Sequence, residues 1–144
     1  MSNDVVVGVD GSENSIAALR WAATYAKRTG ATVHAISTWE YPTFPDTSGM
    51  VTMPGRDFLI EGAQAVLDMA IADAQLPGDV KVICEVIEGS AAHTLIERSA
   101  DAALLVVGRR GHSGIVGAIT GSVATSSAHH TRVPIVIVPL PARS

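Results

Sequence analysis

The sequence, 144 residues long, predicts an α/β fold: one Rossmann-like domain with a five-stranded parallel sheet and helices on both faces. Three observations carry that reading. The wholly apolar runs Val5-Val6-Val7-Gly8-Val9 and Ala103-Leu104-Leu105-Val106-Val107 read as strands buried on both faces. Segments of helical periodicity alternate with strands in the order β-α-β-α-β-α-β-α-β, which builds parallel crossovers. No repeat, charge block or low-complexity linker divides the chain, so residues 1–144 are expected to form a single domain.

The first strand ends at Asp10-Gly11-Ser12, where Ser12 is placed to cap a helix over about 14–29. Ile16, Leu19, Ala23 and Ala26 share one face of that helix, and Gly30 stands where a left-handed stop belongs. A second strand follows over 32–38. Residues 41–56 hold Pro42, Pro45, Gly49, Pro54 and Gly55, so they read as a long loop of the kind used as a lid or interaction surface. The second helix is expected over 57–75, with Leu59, Ala63, Val66 and Ala70 on one face. Val80, Val82, Cys84 and Val86 alternate with Lys81, Ile83, Glu85 and Ile87, which suits an edge strand. Cys84 itself is expected to be a small core residue. Ser90 opens a third helix carrying Leu95 and Ile96. After the strand over 103–107 come a glycine-rich turn, a helix over about 122–130, and a last strand, Ile135-Val136-Ile137-Val138, between Pro134 and Pro139.

Composition narrows the function. Hydrophobic residues make up 47% of the chain and charged residues 17%, which excludes a disordered protein. Fourteen acidic against ten basic residues give a net charge of −4, too weak an imbalance for a nucleic-acid footprint. Asp101, Arg109 and Arg110 interrupt the one apolar stretch that approaches membrane length. A single cysteine allows no internal disulfide, and Met1-Ser2-Asn3-Asp4 carries no basic leader, so a cytoplasmic protein is expected.

In doubly wound sheets, ligands bind beyond the carboxyl ends of strands where the strand order reverses. Two turns stand out there: 8–12 after the first strand and 108–114 after the fourth. The second belongs to a window, 108–122, that contains five glycines. Glycine permits positive φ and lets backbone N–H groups reach an anion. Gly121-Ser122 then opens a helix, whose free N–H groups and dipole attract phosphate. Arg109 and Arg110 either reach the ligand or are solvated, and His112 either touches phosphate or is an exposed loop residue. Asp10 has two readings as well. It holds a ribose hydroxyl or a magnesium ion, or it is a turn residue that caps the next helix.

The spacing Gly108-x2-Gly111-x9-Gly121-Ser122, the Asp10-Gly11-Ser12 turn and the closing apolar strand resemble the universal stress protein family, in particular its ATP-binding branch. The resemblance spans nearly the whole chain. It implies a strand order of 3-2-1-4-5, an adenine nucleotide such as ATP at the switch point, and usually a homodimer. It also implies roles. Gly8 and Asp10 would meet the nucleoside, and Thr38 would meet the adenine through its backbone. Gly108, Arg109, Arg110, Gly111, His112, Ser113 and Gly114 would line the ribose and phosphates, and Gly121, Ser122 and Val123 would hold the phosphate end. The unbroken apolar strand Ile135–Val138 would pair with its counterpart in the dimer.

Other phosphate chemistries fit less well. A P-loop needs a lysine beside its glycines, and the two lysines, Lys27 and Lys81, lie far from the turn. Gly8-Val9-Asp10-Gly11-Ser12-Glu13 does not match a dinucleotide-binding turn. The resemblance implies a stress-response regulator, the missing lysine implies at most slow ATP hydrolysis, and no catalytic residue is assigned. The alternatives are a nucleotide-gated interaction module working through 41–56, and a phosphotransferase.

Overall fold

Ser12 and Gly30 bracket the first helix as their chemistry requires. In the computed structural model, which describes residues 2–41, 55–109 and 131–140, strand β1 (Val5–Gly8) leads into helix α1 (Glu13–Thr29). The Ser12 hydroxyl accepts the Ser15 N–H at 3.2 Å. Gly30 adopts φ 75° and donates its N–H to the Ala26 carbonyl. There follow β2 (Val33–Trp39), α2 (Arg56–Ala74), β3 (Val82–Glu88), α3 (Ala91–Arg98), β4 (Leu104–Gly108) and β5 (Ile135–Val138). The helix expected over 122–130 lies outside the described residues, as do most of the 41–56 loop and most of the glycine-rich window.

All four strand pairings are parallel, and the order is β3-β2-β1-β4-β5. The apolar runs occupy the centre because only there are both faces covered. Val5 and Val7 face one side, where Ala18, Leu19, Ala22 and Ala26 of α1 meet Leu67, Ala70 and Ala74 of α2. Val6 and Ile36 face the other, with Leu95 of α3, Leu105 and Val107. The face expected for α2 divides. Ala70 enters the core with Leu67, while Leu59, Val66 and the buried Ala63 line a cleft at the strand ends.

β3 is an edge strand, as its alternation indicated. Cys84 is a correction, since it is exposed rather than part of the core. The register pairs it with Ala35, and an edge strand gains cover from one neighbour only. β5 forms the other edge and pairs with β4 through Leu105↔Ile135 to Gly108↔Val138. Trp21 and Tyr25 stack at 5.7 Å with a 10° interplanar angle. Tyr25 packs on the core and Trp21 stays exposed.

Candidate functional site

β1 has β2 on one side and β4 on the other, so successive crossovers leave it in opposite directions. That is the switch point at which α/β sheets bind ligands. Beyond the carboxyl ends of β1 and β2 lies a cleft of about 510 Å³. Val9, Asp10, Ile36, Ser37, Thr38, Trp39 and Glu40 form its floor and rim. Phe58, Leu59, Gly62, Ala63 and Val66 of α2 form one wall, with Ala91 and Leu95 of α3 opposite. The lining is mainly apolar with a few polar groups at strand ends, the usual make-up of a small-molecule site.

The turn after β1 is built by short-range hydrogen bonds. Asp10 Oδ1 accepts the Ser12 N–H at 3.0 Å and the Ser12 hydroxyl at 2.5 Å. The Ser15 hydroxyl donates to the Ser12 carbonyl and accepts the Asp10 N–H. Gly11 takes φ +84°, and a Cβ there would stand 3.1 Å from Val66 of the cleft wall. Asp10 therefore orders the entry to α1 and also lines the cleft, so the capping role and a cleft-facing position coexist in one residue.

Gly108 ends β4 against the first turn of α1. A Cβ on it would come within 2.5 Å of the Asn14 carbonyl carbon and oxygen. No L side chain fits such an approach, so packing alone requires glycine here. Arg109 is exposed and its N–H donates to the Val138 carbonyl, tying the start of the glycine-rich window to β5. Gly8 is buried in β1 opposite Ile36. Thr38 lines the cleft from within β2, which runs one residue beyond the expected end. Arg110, Gly111, His112, Ser113, Gly114, Gly121, Ser122 and Val123 lie outside the described residues.

Sequence reasoning missed the far end of the cleft. Arg56 places its guanidinium 5.8 Å from the centre of the Trp39 ring, and Tyr41 meets the same ring edge-on at 5.4 Å. Phe58, in the first turn of α2, is 69% exposed where it borders the cleft. Asp10 and Glu40 are the charged groups among the described lining residues, and both are acidic. Among the described residues no group of three or more His, Cys, Asp or Glu could hold a metal ion. No described helix is long and apolar enough to cross a membrane.

A family model, the universal stress protein family, matches residues 1–139. Universal stress protein Rv2005c of Mycobacterium tuberculosis is 34% identical over 139 residues, covering 92% of this chain and 44% of the relative. Universal stress protein Rv2623 of the same organism is 35% identical over 142 residues, covering 93% and 46%. The chain thus spans about half the length of these curated relatives. Among solved structures, a universal stress protein in complex with cAMP superposes with a TM-score of 0.69 at 26% identity, covering 94% of this chain and 96% of that one. A universal stress protein from Archaeoglobus fulgidus shares the fold, with a TM-score of 0.67 at 22% identity over 96% and 94%. Strand order, switch-point cleft and sequence agree: the chain belongs to the universal stress protein family.

Proposed function

We propose that this protein binds an adenine nucleotide, ATP foremost, in the switch-point cleft and acts as a stress-response regulator rather than a fast catalyst. The observation that carries the reading is the cleft's position, between the end of β1 and the wall of α2, with the β4 end at Gly108 beside it. Support comes from the cAMP held by a 26% identical relative of the same fold.

In this reading the base lies over the end of β2, where Thr38 offers its backbone, and the ribose faces Gly8 and Asp10. The phosphates lie towards Gly108 and Arg109, followed by Arg110, Gly111, His112, Ser113 and Gly114, with Gly121, Ser122 and Val123 at the terminal phosphate. The acidic cleft end adds a physical demand. Two carboxylates repel a polyphosphate, so the neutralising groups must come from N–H donors, arginines or a bound cation. Magnesium suits this, because it is commonly held by one or two carboxylates together with substrate phosphates. Asp10 is the carboxylate placed to share it.

Phosphoryl transfer depends on charge positioned at the transferring group, and neither lysine of the chain is near the glycine-rich window. Hydrolysis is therefore slow, far below the roughly 1–100 s⁻¹ of kinases. The protein acts as a homodimer, paired through the free edge of β5.

Mass spectrometry of small molecules released from the denatured purified protein tests the ligand, and a single-turnover assay with magnesium tests the rate. An adenine nucleotide with slow turnover is expected. A non-nucleotide ligand, or turnover in the kinase range, would overturn the proposal.

A further inference from the structure

The cleft has a polar feature at its β2 end that backbone recognition of a base does not use. Glu40 follows β2 directly, borders the cleft and is exposed. Among the described residues its side chain has no hydrogen-bond or salt-bridge partner, although Arg56 stands over the neighbouring Trp39 ring. The sheet order fixes what Glu40 faces. From β4 through β1 to β2 is two strand spacings, about 10 Å. A nucleotide with its phosphates at the end of β4 therefore extends its base over Trp39, Glu40 and Phe58. An ionised carboxylate accepts hydrogen bonds and donates none. At a base edge it attracts an exocyclic amine and repels a carbonyl oxygen.

We infer that Glu40 is a specificity-determining residue that accepts the 6-amino group of adenine and disfavours 6-oxo purines. The inference rests on the nucleotide reading of the cleft and assigns to it a side chain that selects the base. Because Glu40 is exposed and its side chain has no partner among the described residues, its replacement by glutamine leaves folding intact. Glutamine keeps the shape but can turn its NH2 towards a carbonyl, so it removes the discrimination without closing the cleft.

The test is calorimetric titration of wild type and Glu40→Gln with ATP and with ITP, whose base differs at the 6 position, and with GTP. Circular dichroism checks that both proteins are folded. Wild type should prefer ATP over ITP by about tenfold, equivalent to about 1.4 kcal/mol. In Glu40→Gln that preference should fall to about threefold or less, with ATP weakened and ITP unchanged or strengthened. An unchanged ATP-to-ITP ratio overturns the assignment. So does a variant that loses ITP and GTP more than ATP, because Glu40 would then be accepting from the ring N–H of a 6-oxo purine. Wild type that binds none of the three sinks the nucleotide reading itself, a failure distinct from the failure of Glu40.

Discussion

Replacing Gly108 with alanine separates packing from ligand binding at the start of the glycine-rich window. The new Cβ would lie 2.5 Å from the carbonyl carbon and oxygen of Asn14 and 2.7 Å from its Cβ, where ordinary contact begins at 3.4 Å. Two of those neighbours are backbone atoms in the first turn of α1 and the third is a Cβ fixed to that backbone, so no flexible side-chain end can swing away. Either β4 or the helix start must shift. Overpacking of this kind costs about 1–3 kcal/mol, and the reduced freedom of the unfolded chain returns about 0.4–1 kcal/mol of it. A net loss of about 1–2 kcal/mol follows, or roughly 3–8 °C in Tm for a domain of this size. Urea denaturation measures it as a lower midpoint at constant slope. Gly62→Ala is the matched control, because nothing lies within 4 Å of a Cβ there. In mid-helix it should stabilise by about 0.5–1 kcal/mol. Equal midpoints for Gly108→Ala and wild type would refute the close approach and leave ligand contact as the only reason for glycine.

Three further substitutions and one labelling reaction test the same geometry. Ser12→Ala removes the cap on the Ser15 N–H and one of two bonds to Asp10, so it should destabilise by about 1–2 kcal/mol in chemical denaturation; no loss would mean the cap is not formed. Partial burial, and secondarily the Asp68 carboxylate, push the Cys84 thiol above its usual range. Less thiolate is then present at pH 7.5, and iodoacetamide should modify Cys84 more slowly than a free peptide thiol, followed by intact-mass spectrometry. Faster labelling would contradict that environment. At the β5 edge, Ile137 is 40% exposed whereas Val136 packs against the α1 face of the core. Ile137→Lys should therefore give a folded monomer by light scattering, and Val136→Lys should fail to fold well. A wild-type monomer at micromolar concentration would end the dimer model.

Much of the fold was legible because two of the internal strands, β1 and β4, are apolar throughout. Val5, Val6 and Val7 face two helical layers and tolerate no polar alternation, so the run itself reports a central parallel strand. Ser12 and Gly30 were legible for a similar reason, each being a residue type with a local backbone job. Cys84 was not. A small apolar residue in an alternating strand looks the same whether the second neighbour is a helix or solvent, and tertiary packing decides between them. The cleft was half legible. Asp10 and Gly108 lie at turns that punctuate the sequence, whereas Phe58, Gly62 and Val66 reach the cleft only because α2 packs beside β1 and β2. Gly108 also shows that a glycine in a ligand motif can be required by the scaffold, here by the backbone of Asn14.

The central claim is that the cleft between β1, β2 and α2 holds the nucleotide, and filling it is the most direct test. Gly62 borders the cleft and has open space where a side chain would begin. Gly62→Trp inserts a large ring into the cleft from a helical position that loses nothing by gaining a Cβ. Calorimetric titration of ATP into wild type and Gly62→Trp, with thermal unfolding of both, is the measurement. The account predicts that Gly62→Trp keeps or raises the Tm and loses ATP affinity by more than about tenfold, above 1.4 kcal/mol. An isotherm identical to wild type in a folded Gly62→Trp protein would place the nucleotide elsewhere and contradict it.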